Sequence, residues 1–428
     1  MQFENWLNTG ILHIKSIYCP PLEKDATCDC LVIGGGFAGL HAALRLVDAG
    51  KEVILLEKGI CGSGSSGRSA GFLTPHSEED LNTLIEDYGI DEAKTVAGMP
   101  AGGVKLIIDA IKKYSLDCDF RAQDSIYLAL HKGAISTLKY EMETLKKLGE
   151  PFKFYNKSAL RAVHPGEGYE AGLRYHGTYG INSLAYTQEL KNVLIKKGVK
   201  IYEGTEVHGI TGNKAITHLG SVKAKNILVC IDKMKTEFDK EVSKKYYHMQ
   251  TFLSVSEPLS KNELKSIFPS GNLMCWDSDL LYMYYRIIGE NRLLLGGASY
   301  LTTYYHKHYN SPSAINKVIA KFKKRFSSVS HIDFNYYWNG LIDVTKDLTP
   351  IADYDPKNKS IQYTLGCAGL PWAAFCGDYI ARRVLDKNTK DLSQYLGMHR
   401  TFPISDGLQE ILGKIISFGL SHLKLNYG

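Results

Sequence analysis

The chain has 428 residues, enough for two or three units of ordinary domain size or for two domains around a large shared core. Hydrophobic residues make up 44% and charged residues 22%, the balance of a soluble globular protein. A net charge of +6 with no dense Lys/Arg block excludes a nucleic-acid footprint, though it mildly suits anionic cofactors or a membrane surface.

The N-terminus lacks a basic segment followed by an apolar one, which predicts no signal peptide, and no run reaches the ~18 apolar residues of a spanning helix. The nine cysteines (Cys19, Cys28, Cys30, Cys61, Cys118, Cys230, Cys275, Cys367 and Cys376) are odd in number and include no C-x-x-C pair or zinc-type spacing. A reduced, cytoplasmic setting without a metal site follows, with Cys28 and Cys30 as small buried residues of a strand.

Residues Asp29 to Gly39 read D-C-L-V-I-G-G-G-F-A-G. The apolar run Cys30 to Ile33 predicts a buried parallel strand, and Leu40, Ala43, Leu44 and Val47 recur at helical spacing until Gly50. Glu52 to Leu56 predicts a second strand with Glu57 at its end. In this order the glycines have distinct tasks. Gly34 allows the tight turn, Gly36 lets a pyrophosphate approach the backbone, and Gly39 lets helix and strand pack closely. The helix N-terminus then attracts the phosphates, and Glu57 can accept from an adenosine ribose. Residues 62–72, G-S-G-S-S-G-R-S-A-G-F, follow as a small-residue loop able to wrap a further stretch of a long cofactor; a flexible linker is the plainer reading.

Helices are expected around 77–115, with a boundary near Asp117, and His76 before them reads as a surface histidine. The run Asn226 to Ile231 predicts a strand that closes the first sheet. Residues 280–287 alternate, with Tyr282, Tyr284 and Arg286 on one face and Leu281, Met283, Tyr285 and Ile287 on the other. Gly289 to Asn291 then turns the chain into R-L-L-L-G-G, a hairpin pattern. The face with tyrosine rings and a cation is the candidate pocket wall, with Tyr284, Arg286 and Trp338 as candidate catalytic residues, although 27 tyrosines cannot all be functional. At 405–428, Leu408, Ile411, Leu412, Ile415, Ile416 and Leu423 form an apolar helical stripe near Lys414 and Lys424. It reads as packing on the body or a partner subunit, or as a helix lying on a membrane.

Together, C-D-C-L-V-I-G-G-G-F-A-G-L, V-I-L-L-E-K and G-S-G-S-S-G-R-S-A-G-F resemble the FAD-dependent amine and amino-acid oxidases of the D-amino-acid oxidase and glycine oxidase family, with gamma-glutamylputrescine oxidases the nearest branch. L-Y-M-Y-Y-R-I-I-G-E-N-R-L-L-L-G-G (281–297), W-N-G-L-I-D-V-T-K-D-L-T-P (338–350) and G-C-A-G (366–369) extend the resemblance over roughly residues 20–390. It implies an α/β fold: a Rossmann-like FAD-binding domain with an interleaved α+β substrate domain built on an antiparallel sheet. The FAD-binding parts are expected at 1–117, 181–244 and 336–404, the substrate parts at 118–180 and 245–335, and the tail at 405–428. By resemblance, FAD is held by Gly34, Gly36, Phe37, Ala38, Gly39, Glu57, Lys58, Ser65, Ser66, Arg68, Ser69, Ala70, Gly71, Phe72, Leu73, Val207, Gly369 and Leu370. The absence of a second complete dinucleotide fingerprint argues against a pyridine-nucleotide-disulfide reductase.

Departures from the family pattern shape the expected chemistry. Glycine oxidases carry an Arg in W-A-G-L-R-P that clamps the substrate carboxylate, and Ile342 stands there in W-N-G-L-I-D. That favours a small, gamma-glutamyl-amine-like substrate over a free α-amino acid. Arg68 replaces a flavin-linking His and 341–350 holds no Cys, so FAD is expected to be non-covalent. Leu294 occupies the place of an oxygen-activating lysine, leaving dioxygen or a quinone as acceptor, and G-C-A-G-L-P-W differs from the usual C-terminal run. The expected reaction takes a hydride from a C–N bond to flavin N5 and gives an imine that water hydrolyses. A D-amino-acid or sarcosine/glycine-type enzyme and a flavin-holding scaffold without turnover stand as alternatives. The protein is expected in the cytoplasm, with peripheral contact at the inner face of the membrane as a further option.

Overall fold

In the computed structural model, which describes residues 16–75, 81–279, 282–298 and 311–427, the first apolar run forms the strand Ala26–Ile33, with Val53–Leu56 parallel beside it. The glycine helix, Phe37–Asp48, connects them, and Gly50 turns the chain with φ 75°. These strands lie in an eight-stranded sheet that branches at Ser221–Val229 and ends in Val207–Thr211, Lys200–Tyr202 and Ile351–Tyr354.

The strand expected to close this sheet lies inside it. Ser221–Val229 pairs in parallel with Ala26–Ile33, and its last residues pair in parallel with Ile361–Leu365. Ile227, Leu228 and Val229 are wholly buried, and an uninterrupted apolar run suits a strand covered on both faces rather than an edge.

The second sheet also has eight strands, in the spatial order Phe334–Thr345, Tyr246–Pro258, Arg292–Ala298, Tyr284–Ile288, Met274–Asp277, Ser125–Ala129, Ala171–Tyr175 and Phe152–Asn156. Its pairings are antiparallel except Met274–Asp277 against Ser125–Ala129. The fold is thus the expected α/β arrangement, with sheets of mixed strand direction. Phe334–Thr345 stays in the second sheet, along Tyr246–Ser256, so the chain returns to the first sheet after Thr345.

Helix Leu370–Leu385 packs on the glycine helix, and Ile90–Tyr114 packs in turn on Leu370–Leu385, both through backbone-close contacts. A Cβ on Gly377 would lie 2.0 Å from the Ala38 carbonyl oxygen, and one on Gly103 1.9 Å from that of Pro371. The helical segment expected around 77–115 comprises Leu81–Tyr88 and Ile90–Tyr114, separated at Gly89; His76 lies outside the described residues.

The terminal helix, Asp406–Tyr427, breaks its helical dihedrals at Gly413 (φ 77°). Its buried residues are Gln409, Ser417, Phe418 and Ser421, while Leu408, Ile411, Ile415 and Ile416 of the sequence stripe face outward and Leu412 is half-buried. The side chains of Leu423 and Lys424 lie outside the described residues.

Candidate active site

The glycine turn is too close-packed for any side chain. Gly34 has φ 107° and a Cβ there would sit 2.3 Å from the Cys230 carbonyl oxygen; one on Gly39 would sit 1.9 Å from that of Gly34. Gly36 caps the glycine helix without a side chain, so the first-turn N–H groups have no intrahelical partner and the positive end of the helix is open to an anion. Ser66 Oγ accepts from Phe37 N at 3.0 Å. The Glu57 carboxylate accepts from Gly35 N (2.7 Å) and Gly59 N (2.8 Å), which fixes it at the strand end. Burial pushes its pKa up and those two N–H groups oppose the shift. Each oxygen keeps acceptor capacity for a ribose hydroxyl. This cradle fits a dinucleotide.

The loop 62–72 joins the two sheets. On the first-sheet side, Gly62 N donates to Gly35 O at 2.9 Å. On the second-sheet side, Ser65 Oγ donates to Leu341 O at 2.8 Å, Arg68 reaches Asn339 O at 3.3 Å, and Trp338 Nε1 donates to Arg68 O at 3.0 Å. Burial lowers the Arg68 pKa to about 10. Gly71 takes φ 72° because a Cβ would lie 1.9 Å from Ile181 O, and Phe72–Leu73 pairs with Tyr179–Gly180.

Beside this loop lies a cavity of about 150 Å³. Gly67, Ser69, Ala70 and Ser183 line one side, and Val255, Ile288, Leu294 and Trp338 the other. Among the described residues lining it, the charged ones are Asp119 and Arg286. Tyr284 packs with the same apolar group as Trp338 and meets Phe72 edge-on at 6.1 Å. A larger recess of about 340 Å³ at Lys323, Asp333 and Asn335 contains none of the loop residues.

Arg286 is 1% exposed. Its Nε donates to Ala70 O at 2.7 Å and its terminal nitrogens to Ile181 O and Ile287 O. Burial lowers its pKa to about 10. The guanidinium borders the cavity while its donors tie the loop 62–72, the segment after strand Tyr179–Gly180 and the hairpin together.

Sequence reasoning missed a buried charged cluster behind Ser65. Asp232 bonds to Ser65 Oγ and to Lys233 Nζ (2.9 Å) and accepts from Asp343 N at 3.0 Å. Asp343 accepts from Lys233 N at 2.6 Å and pairs with His248 Nδ1 at 2.5 Å. Burial, reinforced by the Asp232 charge, pushes the Asp343 carboxyl up to about 6. The available signal was the charged pair Asp232-Lys233 directly after a buried apolar run. Ile342, between Leu341 and Asp343, packs with Tyr247, Val344, Ala368 and Phe418.

The remaining expected residues are spread along the first sheet and its helices. Ala38 lies in the first turn of the glycine helix, Leu73 is buried, and Ser69 Oγ bonds to Ser183 Oγ at 3.2 Å. Lys58 is exposed in the turn after Glu57, and Val207 begins the edge strand. Gly369 caps helix Leu370–Leu385 without a side chain, leaving a second helix N-terminus open. Tyr282 is exposed and touches the Tyr284 ring at 5.6 Å; Leu281 lies outside the described residues. All nine thiols are unpaired, and among the described residues no group of three His, Cys, Asp or Glu could hold a metal ion.

The family profile described as FAD dependent oxidoreductase (DAO) matches residues 29–383. A gamma-glutamylputrescine oxidoreductase of Escherichia coli K12 is 27% identical across 81% of each chain. A probable oxidoreductase OrdL of Haemophilus influenzae is 28% identical across 79% of this chain and 80% of its own. Among solved structures, glycine oxidase from Geobacillus kaustophilus superposes with a TM-score of 0.73 at 19% identity, covering 88% of this chain and all (100%) of that one. L-proline dehydrogenase from P. horikoshii follows at 0.72 and 17%, covering 87% and 97%.

Proposed function

Given that this chain belongs to the FAD-dependent oxidoreductase (DAO) family, we propose that it oxidises the C–N bond of a small, gamma-glutamyl-amine-like substrate. The observation that carries this reading is the composition of the cavity beside the loop. Among the described residues its one cation, Arg286, is committed to main-chain carbonyls. By resemblance Ile342, which packs with Tyr247 and Phe418 outside the cavity lining, stands where relatives carry the carboxylate-clamping arginine. An α-carboxylate therefore lacks a bidentate partner there; the other charged residue of the lining, Asp119, is itself paired with Arg121 at 2.7 Å and accepts from Gly289 N at 3.0 Å. The similarity to a gamma-glutamylputrescine oxidoreductase over most of both chains supports the same substrate class.

FAD would be held without a covalent bond. Gly34, Gly36, Phe37, Ala38 and Gly39 present the helix N-terminus to its pyrophosphate, and Glu57 and Lys58 flank its ribose. Loop residues Ser65 to Leu73, with Gly369 and Leu370, would enclose the rest, and Val207 would lie on the adenine side. Bound FAD supplies a two-electron acceptor, so that a hydride leaves the carbon bearing nitrogen and water hydrolyses the imine to a carbonyl compound and an amine or ammonia. The chain's own part is placement and desolvation. Trp338, Leu294, Ile288 and Val255 make an apolar wall that disfavours the ammonium form and excludes water. Tyr284 backs that wall by packing with the same apolar group. Leu294, standing where a lysine would assist dioxygen, supports a quinone as electron acceptor.

The test is anaerobic bleaching of the flavin spectrum by gamma-glutamylputrescine, free polyamines, sarcosine and D-alanine in turn. Bleaching by the gamma-glutamyl amine alone is expected. Bleaching by D-alanine or sarcosine would place the carboxylate on another residue and overturn the substrate reading.

A further inference from the structure

The terminal helix inverts the usual burial of an amphipathic helix. Its buried side carries Gln409, Ser417 and Ser421, with Phe418 edge-on against Tyr247 at 5.4 Å. Its outer side carries Leu408, Ile411, Ile415, Ile416 and Leu420, with Ile411 82% and Ile415 67% exposed. Leu408 and Ile411 lie before the Gly413 break and Ile415, Ile416 and Leu420 after it, and together they make an exposed apolar ridge along the helix. An exposed patch of this kind marks a surface that meets something other than water.

The chemistry of the ridge and its surroundings selects the occupant. The helix has two acidic residues, and both are neutralised. Asp406 pairs with Lys245 and Lys346, and Glu410 pairs with Lys244 with Lys240 close by. Residues 411–428 contain no Asp or Glu; Lys414 turns inward onto Ser243 O, so the basic side chains beside the first turns are Lys240 and Lys244. The ridge holds Leu and Ile only, without the Tyr, Trp or Arg anchors enriched in protein interfaces, and is one helix wide. An aliphatic stripe with basic flanks and no free acid matches a helix lying in the interface of an anionic bilayer. No helix among the described residues is long and apolar enough to cross a membrane, so the contact would be lateral.

We propose that the outer face of the terminal helix is a docking surface for an anionic lipid bilayer, with the Leu408–Leu420 ridge inserted among the acyl chains. None of these five residues lines the cavity or the loop 62–72, so the proposal is independent of the substrate reading.

The test is co-sedimentation of the full-length, flavin-loaded protein with vesicles of phosphatidylcholine alone and of phosphatidylcholine with phosphatidylglycerol. Binding to the anionic vesicles is expected, weakened by salt and reduced about tenfold or more in Ile411→Glu/Ile415→Glu. Unchanged amine-dependent bleaching in that variant would separate this surface from the active site. In a second variant, Ile415→Trp, tryptophan emission should shift to the blue on adding anionic vesicles. Failure of the wild type to bind, equal binding by the double variant, or an unshifted emission from Ile415→Trp would overturn the proposal. So would a dimer in solution that the double variant splits, since a second copy would then cover the ridge.

Discussion

At the scale of single residues, position in the chain revealed tasks set by the backbone and concealed tasks set by distant neighbours. The tight turn at Gly34 and the close packing at Gly39 were legible because a strand–turn–helix brings backbone to backbone there, and the short Cβ distances express that constraint. Arg286 was legible as a residue on the cavity side of its strand. Its engagement was not, because its acceptors Ala70 and Ile181 come from segments more than a hundred residues away. The cluster of Asp232, Lys233, Asp343 and His248 was hidden for the same reason. The hydrogen bonds imply a structural task for Arg286 that can be checked. Arg286→Lys keeps the charge and loses the fork, leaving buried carbonyls unsatisfied, and should cost about 2–4 kcal/mol. The measurements are thermal unfolding and flavin content of the purified variant, with turnover per bound flavin largely retained. If flavin stays bound and turnover per flavin collapses, the guanidinium is a substrate contact instead.

At the scale of elements, hydrophobic periodicity identified each strand or helix more readily than it oriented it. The hairpin Tyr284–Ile288 and Arg292–Ala298 forms around the Gly289–Asn291 turn, where Glu290 and Asn291 adopt positive φ. The terminal helix was legible as amphipathic, but its apolar stripe faces outward. Its orientation is set by its first turn, where Asp406 meets the fully buried Lys346, and by Lys414, whose Nζ donates to Ser243 O at 2.6 Å. Two truncations separate these anchors. Removing 413–428 leaves Asp406 in place. Removing 405–428 strips the carboxylate from Lys346 and Lys245, and should cost about 2–4 kcal/mol more, because a buried charge loses its partner. Melting temperatures of the two flavin-loaded proteins decide this. Equal values would mean that Lys346 is satisfied by other groups, such as the Ile404 carbonyl, in the full-length protein.

At the scale of the molecule, two sheets share one loop, and acid offers a way to ask whether they unfold as one body. One buried apolar group runs from Val32 and Leu55 of the first sheet to Ala129, Leu173 and Tyr175 of the second, and another lies on the second sheet around Tyr285; a histidine kept neutral by burial packs against each. His41, whose ring accepts or donates at 2.9 Å to Tyr186 Oη, is pushed down to about 4, and His164, bonded to Tyr285 Oη, to about 3. In the unfolded chain both titrate near pH 6.5. Below that value the unfolded state binds more protons than the folded one, so stability is complete above about pH 6.5 and is lost as pH falls towards 4, by up to ~1.4 kcal/mol per pH unit for each histidine. The loop 62–72 is bonded to both sheets, and Arg286 of the second sheet holds the loop at Ala70 O. Flavin held at that seam, as proposed above, would stabilise only the state in which both sheets are in place. Acid titration from pH 7 to 4, followed by far-UV circular dichroism and by flavin fluorescence, is therefore expected to give one coincident transition. Excess FAD should shift it to lower pH. Flavin release ahead of the loss of ellipticity would show that the seam opens first and that each sheet persists by itself.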